Sequence, residues 1–107
     1  MDRSGTNLKG DAGARRAQAE ALAIEALGFV AGDSELLPRF LAISGIAAAD
    51  IRVAAREPGF LAGVLQFILA HEPTLMRFAA ESGADPASIA AACRALPFGD
   101  DSQERSA

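Results

Sequence analysis

The sequence predicts an all-α fold, a compact bundle of about six short helices. Three observations carry that prediction. No stretch alternates apolar and polar residues and β-branched residues are sparse, so nothing reads as a strand. Apolar residues instead recur at three- and four-residue steps, which places them on one face of a helix. Between these periodic segments stand Gly32, Gly45, Pro58, Pro73, Gly83, Pro86 and Pro97, residue types that stop or start helices.

Taken in order, residues 1–12 ("MDRSGTNLKGDA") show no periodicity and read as a disordered tail. The first helix is expected from about Ala14 to Ala31, with Leu22, Ala23, Ala26, Leu27 and Val30 on its apolar face and Gly32 as its stop. Asp33 can cap the second, about Ser34 to Ser44, which carries Leu37, Phe40, Leu41 and Ile43, has Pro38 early within it and ends at Gly45. A third, about Ala48 to Arg56, presents Ile51 and Ala54. Pro58 sits where a fourth begins, and "FLAGVLQFILA" makes that helix apolar nearly all round, as a central helix is. Pro73 starts a fifth, which holds Leu75, Met76, Phe78 and Ala79 and stops at Gly83. Asp85-Pro86 is a cap followed by a first-position proline for the sixth, which Pro97 closes. The domain therefore spans 13–98, and 99–107 reads as a disordered acidic tail.

A chain of 107 residues holds one domain. Hydrophobic residues make up 50% of it, but alanine buries little area. Stability must come from the larger side chains, each contributing about 1.5–3 kcal/mol when fully buried, and the six phenylalanines are expected in the core first. Ten Lys and Arg against 14 Asp and Glu give a net charge of −4, which disfavours a general affinity for nucleic acid or anionic lipid. Cys93 is the sole cysteine, so no internal disulfide forms and a reducing, cytoplasmic setting is expected. The start has no apolar signal-peptide region. The longest apolar run is about half what a bilayer crossing needs, so no membrane partner is expected.

Shifted by 38 residues, the chain resembles itself. "LPRFLAISGIAAADIRVAAR" from Leu37 aligns with "LMRFAAESGADPASIAAACR" from Leu75, with identities at Leu37/Leu75, Arg39/Arg77, Phe40/Phe78, Ser44/Ser82, Gly45/Gly83, Ile51/Ile89 and Arg56/Arg94. Leu27/Leu65 and Phe29/Phe67 continue the register upstream. The duplicated units, about 22–56 and 60–94, are too few for a solenoid and imply two pseudo-symmetric three-helix units closed on each other.

That duplication bears on a second pattern. Ala79, Gly83 and Ile89 have the spacing of a DNA-reading helix-turn-helix. The first unit repeats the spacing at Leu41, Gly45 and Ile51, which points to a structural corner used twice. The would-be reading helix offers only Ser88 and Arg94 among alanines, too little for base or phosphate contact. His71-Glu72 lacks convergent ligands for a metal and reads as the end of the fourth helix, where a histidine favours the dipole. Cys93 reads as a small buried hydrophobe, without the base a nucleophile needs. No catalytic, cofactor or metal site is expected. The recurring arginines, Arg39, Arg56, Arg77 and Arg94, are candidate partner-binding residues forming a patch for an acidic partner, against the alternative of solvated helix charges such as the Glu35–Arg39 and Arg77–Glu81 pairs. The expected function is a non-catalytic module that binds an unidentified protein or another copy of itself, with a helix-turn-helix DNA-binding regulator as the alternative.

The segments "AEALAIEALGFVAGD", "LPRFLAISGI", "REPGFLAGVLQFILAHEPTLMRFAAESGADPASIAAA" and "RALP", about Ala19 to Pro97, resemble a family of short alphaproteobacterial proteins catalogued only as a domain of unknown function. "SGIAAADI" departs from the family in lacking the Asp-Pro cap that "SGADPASI" keeps, which weakens the start of the third helix. The resemblance implies an intracellular bacterial helical protein and assigns no activity or site.

Overall fold

The computed structural model describes residues 3–99, with side chains over 13–99. Its order is α1 (Arg3–Ala31), α2 (Leu36–Ser44), a 3₁₀ turn (Ala48–Asp50), α3 (Ile51–Ala54), α4 (Phe60–Leu69), α5 (Glu72–Ser82) and α6 (Pro86–Ala95). Among the described residues there is no strand. The protein is an all-α bundle.

α1 and α4 form the centre. α1 packs against α2, α4, α5 and α6, and α4 against α1, α5 and α6. Ala19, Ala23, Ala26 and Val30 line the buried face of α1, and their small size lets neighbouring helices approach closely. α4 supplies the volume with Val64, Leu65 and Ile68, all without solvent exposure. Phe78, Ile89 and Phe40 close the core from α5, α6 and α2.

The two halves interlock ring by ring. Phe29 of α1 meets Phe78 of α5 with ring centroids 5.4 Å apart, and Phe67 of α4 meets Phe40 of α2 at the same 5.4 Å. The 38-residue shift turns the first contact into the second, as a two-fold relation between halves requires. The corners match as well. Gly45 and Gly83 take φ of 77° and 80°, and their amides donate to the carbonyls of Leu41 and Ala79. Only glycine adopts that left-handed conformation at little cost.

Several boundaries differ from expectation. α1 begins at Arg3, so the backbone of residues 3–12, read as a tail, is helical. That stretch contains no proline and its glycines cost a helix only about 1 kcal/mol each, while the missing apolar period hides the helix from pattern reading. The third helix is one short turn, α3, preceded by the 3₁₀ turn. Pro58 lies in the turn before α4, where Gly59 at φ 93° reverses the chain. His71, read as a helix end, is the N-cap residue of α5. Three residues read as core are exposed: Ile43 at 72%, Met76 at 51% and Phe98 at 56%. Gly99 belongs to the folded part, since it is buried and its amide donates to the Leu96 carbonyl at 3.0 Å. A Cβ at Gly99 would overlap the Cys93 carbonyl oxygen. The rest of the expected acidic tail, 100–107, lies outside the described residues.

Candidate functional site

The halves differ most where α2 meets α4 and where α5 meets α1. α5 packs against both central helices, whereas α2 packs against α1 and reaches α4 through the Phe40 ring. Between α2 and α4 this leaves a groove of about 570 Å³, floored by Phe40, Phe60, Gly63 and Phe67 and rimmed by Arg39, Ile43, Gln66 and His71. No carboxylate is among its lining residues. Its α4 wall runs from Gly59 to Ala70, about 16 Å at the helical rise of about 1.5 Å per residue.

The repeat-equivalent face, between α1 and α5, shows what the groove has lost. There Arg77 Nη2 donates to Asp33 Oδ2 at 2.9 Å, and its guanidinium lies 5.1 Å from the centre of the Phe29 ring. Asp33 Oδ1 also accepts from the amides of Glu35 at 2.8 Å and Leu36 at 2.9 Å, so one side chain caps α2 and anchors α5. The Arg77 hydrogen bond, then the Leu36 and Glu35 amides, hold the Asp33 carboxyl at about 2, below its ordinary 3.8. The 38-residue shift carries Arg77 to Arg39, Phe29 to Phe67 and Asp33 to His71. The groove thus keeps the arginine and the ring but has a histidine where the carboxylate stood. His71 Nδ1 is 2.8 Å from the hydroxyl of the buried Thr74, and Arg39 makes no ion pair with another described residue. The same shift turns Glu25 into Gly63 and Glu81 into Ile43, so the groove also lacks two carboxylates that its counterpart carries.

The four candidate arginines take four different settings. Arg39 lines the groove. Arg77 is held by Asp33 across the chain rather than by Glu81 one turn away. Arg56 borders a separate depression with Arg16, Glu20 and Leu96. Arg94 is exposed in the last turn of α6, where a cation complements the helix dipole. Of the groove residues, sequence reasoning named only Arg39 as a candidate. The signal for the others was the set of repeat positions that do not match.

Cys93 is buried, with its sulfur 3.7 Å from the Ala62 carbonyl oxygen. Among the described residues no group of His, Cys, Asp and Glu is placed to hold a metal ion, and no helix is long and apolar enough to cross a membrane. α6, the helix after the Gly83 corner, buries Ile89 and Cys93 and packs against α1, α4 and α5. It turns Ala87, Ser88, Ala91, Arg94 and Ala95 outward.

Residues 16–99 match the model of a family described as "Protein of unknown function (DUF3572)". No curated protein and no solved structure matches the chain.

Proposed function

The chain belongs to this family, whose description assigns no activity, and we propose that it is a non-catalytic interaction module whose α2–α4 groove receives an apolar, acidic segment of a protein. The observation that carries the reading is the groove itself: apolar walls, an exposed Ile43 on the rim, and Arg39 and His71 in its lining where the α1–α5 face has the Asp33 carboxylate. Its volume suits a few inserted side chains, as when a helix lays its apolar face into a slot. An arginine next to an aromatic floor is a favoured anchor for such a segment. The lining offers no nucleophile paired with a base, which supports binding over catalysis. DNA reading draws less support, because the outward face of α6 carries one cation among small residues. A single cysteine that cannot form an internal disulfide fits a cytoplasmic setting.

The test uses anilinonaphthalene sulfonate, an apolar anion, as a probe of the groove. Wild type should bind it, and Gly63→Glu, which restores the carboxylate of the other half, should weaken binding about tenfold with circular dichroism unchanged. Equal binding by both proteins rejects the groove. In affinity capture from the native host, a partner held equally by wild type and Gly63→Glu would likewise reject it, with Met76→Glu on exposed α5 as the control that retains the partner.

A further inference from the structure

The two faces related by the repeat have opposite chemistry. The groove presents Arg39 and His71 around an apolar floor. The equivalent face, between α1 and α5, presents Glu25 and Glu81, with Arg77 already neutralised by Asp33. On α1 that acidic face carries an exposed knob: Ile24 is 59% exposed, although isoleucine is a residue that folding normally covers. Ala21, Ile24 and Gly28 follow one another at three- and four-residue steps, with Glu25 four beyond Ala21 and three before Gly28, so they form one patch, and all four are exposed. Small residues at either end of that patch permit close approach of another helix. Glu25 makes no ion pair with another described residue, which leaves its carboxylate available. Glu20, one turn earlier, is taken up by Arg16 at 3.7 Å.

From this complementarity we infer that the groove receives a second copy of this chain, with Ile24 of α1 seated on the Phe40, Gly63 and Phe67 floor and Glu25 against Arg39 and His71. The inference rests on the groove reading above and names its occupant. The incoming Glu25 supplies the acid that Asp33 gives Arg77 on the α1–α5 face. The exposed row from Ala17 to Gly28 is about 16 Å long at about 1.5 Å per residue, which equals the length of the α4 wall. Because the two faces differ, the contact is head-to-tail, and it builds either a closed ring or an open chain of copies. Its charge component is solvent-exposed, so added salt weakens it.

A reciprocal charge swap tests this on the full chain by sedimentation equilibrium. The wild-type mass should rise above 11.0 kDa with concentration. Glu25→Arg and Arg39→Glu, each alone, should remain at 11.0 kDa, because each sets like charges against each other in its own contact. An equimolar mixture of the two should associate again, since contacts between unlike copies are then all opposite in sign. Circular dichroism of each variant checks that these exposed substitutions leave the fold intact. A wild type that stays at 11.0 kDa throughout overturns the inference, as does a mixture that fails to associate or a single variant that still does. In a monomeric wild type, retained dye binding leaves the groove reading standing and rejects only the second copy. Dye binding unaffected by Gly63→Glu rejects the groove as well.

Discussion

The first half, residues 22–56, and the second, 60–94, turn the same glycine corner at nearly the same φ and bury the same phenylalanine against the opposite half. They part company beyond the corner. In the second half Asp85 accepts from the Ser88 amide at 2.8 Å, Pro86 presets the first helical residue, and α6 runs to Ala95 with Ile89 and Cys93 in the core. In the first half Ala47 has no side chain to offer, and the Asp50 amide donates to the Ala47 carbonyl at 2.8 Å instead. That bond spans three residues and tightens the chain into a 3₁₀ turn. The single helical turn that follows buries no residue. Where the second half has a third helix that supplies core residues, the first has a 3₁₀ turn and a single helical turn, and the groove lies between α2 of the first half and α4 of the second. Duplicated segments can thus share their corners and their core rings while the surfaces between them take different work.

The largest test of that contrast lies in the paired isoleucines. Ile89 has no solvent exposure, so Ile89→Ala should cost about 2–5 kcal/mol in urea unfolding. Its partner in the repeat, Ile51, is only partly buried, and Ile51→Ala should cost about 1 kcal/mol or less. Similar losses at the two positions would mean that α3 carries as much of the core as α6, and the contrast would fail.

Second in size is the conversion of one face into the other. Glu25→Gly combined with Glu81→Ile gives the α1–α5 face the groove's chemistry at both positions. A second site for anilinonaphthalene sulfonate should appear, about tenfold weaker than the first, because Asp33 still neutralises Arg77 there. An unchanged stoichiometry would show that these two carboxylates do not distinguish the faces.

Much of this contrast was legible in the residues. Asp85-Pro86, Gly45 and Gly83 announce their roles because each meets a local requirement, a cap or a left-handed φ, that few residue types satisfy. The repeat and the all-helical class follow from spacing alone. What escaped is whatever depends on the neighbour across a helix face. Periodicity placed Ile43 on the apolar side of α2, but it cannot say that this position comes to lie on the rim of an open groove. Phe98 looked like core until the chain after Pro97 took a positive φ of 68° and left the ring exposed. The groove had a trace that counting identities overlooks: the informative pairs are the unlike ones, Asp33/His71, Glu25/Gly63 and Glu81/Ile43, where one half carries an acid and the other does not.

The third test concerns Asp33, the first-half acid whose place in the second half is taken by His71. Its carboxyl is held at about 2 from 3.8, so its contribution to stability is complete above the unfolded value and disappears as pH falls through the folded one. Asp33→Asn keeps a capping side chain but removes the charge facing Arg77. The variant should melt a few degrees below wild type at about pH 5, and the gap should narrow toward about pH 2 and close below it as the wild-type carboxylate protonates. A gap that persists unchanged at low pH would assign the effect to the cap and not to the ion pair.

The smallest effect is also the most direct probe of why the halves differ. Ala47 already has the extended backbone of an N-cap residue, φ −75° and ψ 146°, close to the −85° and 164° of Asp85. Ala47→Asp with Ala48→Pro therefore transplants the second half's cap without asking the backbone to move, and a ψ near 146° at position 47 is what a following proline demands. With a carboxylate to accept the Asp50 amide, the Ala47 carbonyl becomes free to bond the Ile51 amide, and the 3₁₀ turn can relax into the start of a continuous α-helix. The gain should be about 0.5–1 kcal/mol, with slower amide exchange at Asp50 and Ile51. Ala47→Ser with Ala48→Pro controls for repulsion from the native Asp50 carboxylate. If neither pair of substitutions stabilises the protein or protects those amides, the short third element owes its form to the packing around it and not to the missing cap.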